Sequence, residues 1–324
     1  MHTNVSRRRA LAAIGAGAAL PCTLFAQNAW PTRSVKVVVP YPAGGAPDAF
    51  GRLLAEQLAA HFNQAFVVEN KPGANGLIGA RAVSQNAADN HALLYLNSQH
   101  VTLQALNPQF NILNEFKVIS RLTSSPFICV VGAKSPYKTM AELNAAVVAN
   151  PGKLTFGSAG IGSPAHMAVE YLEDKLPAFK ALHIPYKGAV ESVNAILSNQ
   201  IDFSIMLLGT AIPQIQGGNL RALGVTSPKR LPVLPDVPSI SEAIAPGYAF
   251  DAWAGLAMAA GTSDDVIAQL FKVSHVVAVS PQSREMSLRN GSLVSLSTSS
   301  KEFADQIARD VQLEQTIVKK LGVT

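Results

Sequence analysis

Residues 37–58, VVVPYPAGGAPDAFGRLLAEQL, pass from a β-branched run through a glycine-rich loop into an amphipathic stretch, and this grammar repeats along the chain. VKVVVP (35–40) precedes Phe50, Leu53, Leu54 and Leu58, spaced to share one helix face. AFVVEN (65–70) precedes GLIGARAVSQ, and ALLYLN (92–97) follows. Strands alternating with helices in this way predict an α/β domain around a mainly parallel sheet.

A second series starts at PFICVVG (126–132). Thr139 and Glu142 form a capping-box pattern that opens MAELNAAVVAN. KLTFGSAG, a helix from Pro164, ALHIPY, a helix near 189–199, DFSIML and LRALGV follow in order. The proline-rich stretch 227–239 interrupts the pattern, and WAGLAMA (253–259) reads as a strand returning to the first domain. Helices from about 264 and 300 close the chain, the last capped by Ser299 with Glu302. The reading gives one lobe from 27–124 plus 254–324 and another from 125–253. Two crossings make a hinge with a cleft between lobes. Ligands bind at domain interfaces and at the C-terminal ends of parallel strands. That directs attention to the loops after 40, 72, 97, 157 and 206.

The first 26 residues are read as an export signal rather than as fold. Arg7, Arg8 and Arg9 precede ALAAIGAGAAL, and Ala26 is a small residue at a cleavage position. Ser6-Arg7-Arg8 with Leu11 also resembles a twin-arginine signal, so the export route stays open. The apolar stretch is shorter than the roughly 20 residues a membrane span needs. Without residues 1–26 the chain carries 23 basic and 21 acidic residues, a net +2, with no Lys/Arg cluster. That argues against a nucleic-acid partner. One cysteine then remains, Cys129 within the apolar run FICVV, so no internal disulfide is expected.

The loop YPAGGAPD (41–48) has two readings. It is a strand–helix turn with Pro47 in the first turn and Asp48 as a cap, or it is an anion seat. Glycines let backbone N–H groups approach a ligand, and a helix N-terminus favours negative charge. A phosphate-binding loop would need Gly-Lys-Ser/Thr, whereas Gly45 is followed by Ala46-Pro47-Asp48. GIGSPA (160–165) fits a dinucleotide fingerprint, but the ribose-binding acid expected about 20 residues on is missing. FGSAG gives Ser158 a Phe where a nucleophile elbow wants Gly. An exported esterase using Ser158 and His166 remains the enzymatic alternative. The seven histidines are scattered, and neither a metal site nor a cofactor is expected. Ser158, Ala159, Gly160, Gly162 and Ser163 form a second glycine-rich loop, with Ser163 as N-cap and Pro164 at the first helical position. Two such loops, one per lobe, can face each other and hold a carboxylate through N–H and hydroxyl donors.

Five stretches carry a family resemblance together: WPTRSVKVVVPYPAGGAPD (30–48), VVENKPGANGLIGA (67–80), NPGKLTFGSAGIGSPAH (150–166), IPYKG (184–188) and IQGGNLRALGVTSPKRLPVLPDVPSISEA (215–243). The chain resembles the Bug family, the solute-binding proteins of tripartite tricarboxylate transporters in Gram-negative bacteria. The resemblance implies a monomeric periplasmic binding protein, type II-like, with two α/β lobes that close on a small organic carboxylate. It implies delivery to an inner-membrane permease, with no cofactor. The two loops would be the jaws, with Tyr41, Ala43, Gly44, Gly45, Ala46 and Asp48 on one side and Ser158–Ser163 with His166 on the other. Asn75, Ser98 and His100 would border the pocket. A ligand-sensing subunit for a membrane kinase would share this fold and chemistry.

One departure bears on the cargo. Where relatives carry an acidic residue and an amide after a strand, this chain has Leu207 and Leu208. With Phe50 they would make an apolar wall, unless they are simply core. The expectation is a carboxylate with an apolar or aromatic body, such as terephthalate, rather than an amino acid. Leu207→Asp would then weaken an apolar ligand strongly.

Overall fold

The computed structural model describes residues 30–85 and 90–322. The export segment read at 1–26 lies outside the described residues. The first lobe opens with strand β1 (Val35–Val39), helix α1 (Ala46–Phe62) and strand β2 (Phe66–Asn70). A 3-10 turn (Ala74–Gly76) leads into α2 (Leu77–Ser84), β3 (Ala92–Asn97), α3 (Gln99–Leu106) and α4 (Ile112–Glu115). Strand β1 pairs in parallel with β2 and β3. Alternate residues of β1 and β3 serve opposite faces. Val37, Val39 and Leu93 pack with Leu54 and Leu58 of α1. Val38, Leu94 and Leu96 pack against the other face with Val101. Burial on both faces is why these strands read as continuous apolar runs rather than as alternation.

Strand β4 (Phe116–Gly132) joins the two sheets. Its first part runs antiparallel to β9 (Asp251–Ala259), up to the pair Pro126–Asp251. From Phe127 onward it lies between β7 (Phe203–Leu207) and β8 (Leu220–Val225). The strand therefore starts ten residues before the 126 read from sequence. Lys117, Ser120, Arg121 and Thr123 hide it, because a buried polar residue looks like a loop until its partners are known. Ser120 Oγ is 2.8 Å from His275 Nε2 and 3.1 Å from Ser297 Oγ.

The second lobe continues with α5 (Met140–Ala149), β5 (Thr155–Ser158), α6 (Pro164–Lys175), β6 (Leu182–Pro185) and α7 (Ala189–Leu197). After β7 come α8 (Leu208–Gln216), β8 and the short α9 (Ile240–Ala243). Strand β5 is parallel to β6 and β7. Phe127, Cys129, Phe156, Phe203 and Ile205 fill one face of this sheet, and Ile128, Val130 and Met206 the other. Cys129 is a free, buried thiol whose pKa burial pushes up to about 12. Thr139 caps α5 by accepting the Glu142 N–H at 3.1 Å, as the capping pattern predicts.

After β9 the chain completes the first lobe with α10 (Asp264–Ala278), α11 (Pro281–Arg289), β10 (Leu293–Val294) and α12 (Ser300–Leu321). Strand β9 is antiparallel to β3, so the first sheet is mixed rather than mainly parallel. Helix α12 crosses to the second lobe. Its Ile317 and Val318 pack with Met167 of α6, and Lys320 Nζ lies 3.5 Å from Glu170 of the same helix. The lobes also meet where Gly291 faces Gly209: a Cβ at 291 would stand 2.3 Å from the Gly209 Cα.

Candidate functional site

A cavity of about 570 Å³ lies between the lobes. Tyr41 enters from the loop after β1 and Asn75 from the 3-10 turn. Asn97, Ser98 and Gln99 enter from the end of β3. The loop after β5 contributes Ala159, Ile161, Gly162 and Ser163, so strand ends of both sheets converge on one space. Apolar walls come from Val101, Leu103 and Leu106 of α3, Met167 of α6, and Phe250, Trp253 and Leu313.

The β5–α6 loop is assembled from below. Ser158 is buried, and its Oγ accepts the Gly160 N–H at 3.1 Å and lies 2.7 Å from His183 Nε2. His166 Nδ1 accepts the Gly162 N–H at 3.0 Å, which puts the ring proton on Nε2, 3.5 Å from Glu170. The imidazoles of His166 and His183 stack with centroids 3.8 Å apart, and Phe156 stacks on His183. Burial, with the neighbouring His166, lowers the His183 pKa to about 4, so this ring is neutral at pH 7. The serine of the esterase alternative thus partners His183, not His166, and serves the loop's geometry. Gly160 and Gly162 take φ of +111° and +74°, values that favour glycine. Ser163 caps α6 by accepting the His166 N–H at 3.4 Å. The N–H groups of Ala159, Ile161 and Ala165 have no protein partner among the described residues.

The β1–α1 loop is built differently. Asp48 is buried and accepts from the Gly44 N–H at 2.8 Å, Asn70 Nδ2 at 2.9 Å and Arg52 Nε at 3.0 Å. The Gly44 N–H first, then Arg52 and Asn70, lower its pKa to about 2. Ala43, Gly44, Gly45 and Ala46 are exposed and lie outside the cavity lining. Tyr41 joins this loop to β3: its hydroxyl donates to Gln99 Oε1 at 2.6 Å and accepts from the Asn97 amide. His100 is fully buried beneath the first turn of α3, with Nδ1 2.9 Å from Asn97 Oδ1 and Nε2 unpartnered. Burial lowers its pKa to about 4.

Of the residues named from sequence, Tyr41, Asn75, Ser98, Ala159, Gly162 and Ser163 line the cavity. Asp48, His100, Ser158 and His166 are buried behind it, and Gly160 turns the loop between two lining residues. Phe50 packs in the first-lobe core, edge-on to Tyr95 at 6.2 Å. Leu208 is buried in the second-lobe core, while Leu207 is 41% exposed, and neither lines the cavity.

Sequence reasoning missed the far wall. Asp251, at the start of β9, accepts the Ser124 hydroxyl. Asp310 of α12 accepts the Trp253 Nε1–H at 2.9 Å. Glu314, one turn on, is buried, and its Oε2 has no hydrogen-bond partner. Burial raises all three pKa values, that of Asp310 to about 6 and that of Glu314 to about 8. A signal existed: Phe303, Ile307, Val311 and Val318 form one helical stripe, and Glu314 falls within it.

The family model for the tripartite tricarboxylate transporter family receptor matches residues 50–323. A UPF0065 protein of the gbd 5' region of Cupriavidus necator is 32% identical over 97% of this chain and 94% of its own. A TctC solute-binding protein from Polaromonas superposes with a TM-score of 0.83 at 27% identity, over 90% of this chain and 99% of that one. A Rhodopseudomonas palustris protein solved with adipate gives 0.69 at 25% identity, over 90% and 98% of the two chains. The malate-bound MatC of that organism gives 0.66 at 26%, over 89% and 100%. With a family model covering most of its length and two lobes around a shared cavity, the chain belongs to the tripartite tricarboxylate transporter receptor family, whose members are periplasmic solute-binding receptors and not enzymes.

Proposed function

We propose that the protein captures a small carboxylate with an apolar or aromatic body between its lobes and presents it to an inner-membrane permease of the tripartite tricarboxylate type. The observation that carries this reading is the pairing, in one cavity, of neutral donors with apolar walls. Ser98, Asn75 and the unpartnered N–H groups of the β5–α6 loop offer bonds to an anion. Val101, Leu103, Met167, Phe250 and Leu313 offer a body-binding surface. Charge-assisted bonds to N–H donors are about twice as strong as neutral ones, so one carboxylate fixes the cargo's orientation. The two R. palustris relatives were solved with adipate and with malate, both small carboxylates. Terephthalate is the benchmark aromatic compound. The apolar surface assigned to Leu207 and Leu208 from sequence comes, in this reading, from α3, α6 and the entry to β9.

The lobes close about β4 and β9, near 125 and 253, and the ligand bridges them only in the closed state. Closure is then a population shift set by the ligand's differential affinity. Trp253, buried against Phe303 at 5.0 Å and lining the cavity, reports this change by its fluorescence. Export with cleavage near Ala26 and a monomeric state complete the proposal.

Thermal unfolding against a panel of organic acids tests it. A ligand at 100 times its dissociation constant adds about 2.7 kcal/mol of stability. Apolar-bodied carboxylates should raise the midpoint, and citrate-like polyacids should not. A response confined to polyacids or hydroxy acids contradicts the apolar-body reading.

A further inference from the structure

The cavity lining has two electrostatic characters. Ser98, Ser163 and the β5–α6 loop offer N–H and hydroxyl donors. Asp251, Asp310 and Glu314, from β9 and α12, offer acceptors. Asp310 and Glu314 stand one turn apart on α12 and line the same space.

These carboxyl groups lack cationic partners. Among the described residues no Lys, Arg or His nitrogen lies within 4 Å of any of the three. Arg121 acts on Asp251, and Arg309 on Asp310, only through longer-range attraction. Asp251 accepts one neutral donor, from Ser124, and Asp310 accepts two, from Trp253 and, at 3.5 Å, from Gln306. Glu314 interacts with Thr102, yet its Oε2 is buried with no partner. A buried acceptor left unmade destabilises a fold, whereas an apolar residue at 314 would have continued the helix stripe. The arrangement is not a metal cage, because among the described residues no three acidic, His or Cys side chains converge to hold an ion.

We propose that these acidic side chains receive a positively charged nitrogen on the cargo, so that the protein takes a carboxylate carrying an ammonium group across an apolar spacer. The inference rests on the carboxylate reading above and narrows it. The donor loop takes the carboxylate, and the walls of α3 and α6 take the spacer. Glu314 and Asp310 take the N–H donors, and cation–π contact with Trp253 adds to them. A second carboxylate here would meet three acidic side chains, with only the Thr102 hydroxyl and a protonated Glu314 as donors beside them. A diacid therefore depends on Glu314 keeping its proton, whereas an ammonium group displaces it.

Isothermal titration of the purified protein at pH 7 with three para-substituted benzoates tests this. The compounds are 4-(aminomethyl)benzoate, 4-ethylbenzoate and terephthalate. We expect the amine to bind at least tenfold tighter than either comparator and to release protons, read as a dependence of the heat on buffer ionisation enthalpy. In Glu314→Gln the preference for the amine over 4-ethylbenzoate should fall below threefold. If 4-ethylbenzoate or terephthalate binds the wild-type protein as tightly as the amine, the inference is overturned while the carboxylate reading stands. If none of the three binds, the apolar-carboxylate reading fails and this inference fails with it. The wild-type comparison decides the matter without any variant.

Discussion

Asp48 and Glu314 are both buried acids at the edge of the same cleft, yet their surroundings push them in opposite directions. Asp48 in the β1–α1 loop is held down to about 2 by the Gly44 N–H, Arg52 and Asn70. Glu314 in the cavity wall is raised to about 8 by burial, with one oxygen unpartnered. Burial alone does not separate them, since they are 4% and 7% exposed. Partners do. The first acid builds a loop, and the second leaves bonding capacity unused beside a cavity. Evolution retains a destabilised group most readily where function needs it. The two jaw loops repeat the contrast. The β1–α1 loop carries its own anion, while the β5–α6 loop has none and leaves its N–H groups open.

The largest effect expected is from Asp48→Ala. It strips partners from the Gly44 N–H and the Asn70 amide, and should cost about 3 kcal/mol of unfolding free energy in urea. A loss under about 0.5 kcal/mol would mean the loop does not depend on this acid. The pH dependence has a definite sign. A carboxyl lowered to about 2 in the fold contributes stability above its unfolded value near 4, and that contribution disappears as pH falls through 2. The variant should lack this acid limb.

Glu314→Gln should act in the opposite direction. A carboxyl raised to about 8 in the fold favours folding only while protonated, so stability falls as pH rises from about 4 through 8. The variant's melting midpoint should exceed wild type at pH 8 and match it at pH 5. An equal or lower midpoint at pH 8 would place Glu314 among the satisfied acids.

Gly162→Ala and Gly44→Ala separate the two loops more finely. Both positions have positive φ, and an added Cβ meets no atom within 4 Å at either. Backbone strain of about 1–2 kcal/mol is therefore the shared cost. Only Gly162 lines the cavity, so its variant should also lose about tenfold in carboxylate affinity, while Gly44→Ala stays within threefold. Equal losses would put both loops on the ligand. The smallest effect expected is from Leu207→Asp. This residue is 41% exposed and outside the cavity, and affinity should change less than threefold. A tenfold loss would restore the leucine pair as a pocket wall.

Much of the fold was legible because β1, β3 and β7 are buried on both faces and write themselves as largely apolar runs. Strand β4 was half hidden, since Ser120 and Arg121 are polar and find their partners far along the chain, at His275, Ser295 and Gln306. Helices α3 and α8 begin directly at the ends of β3 and β7 with little loop between, which leaves no punctuation to read. The glycine loops were legible as strand-to-helix loops, but not which N–H groups remain open, because Asp48 and His166 take theirs through local geometry. The wall from α12 joins the site by tertiary packing about 150 residues away from the loop it faces. Only the charge at Glu314 in an apolar stripe announced it.

The most direct test is a crystal structure of the protein with the tightest-binding carboxylate from the thermal panel. The account predicts closed lobes, with the carboxylate within hydrogen-bond distance of the Ala159 and Ile161 N–H groups and the Ser98 hydroxyl, and the body against Met167 and Phe250. A carboxylate seated outside this cavity, or turned toward Asp310 and Glu314, would contradict it.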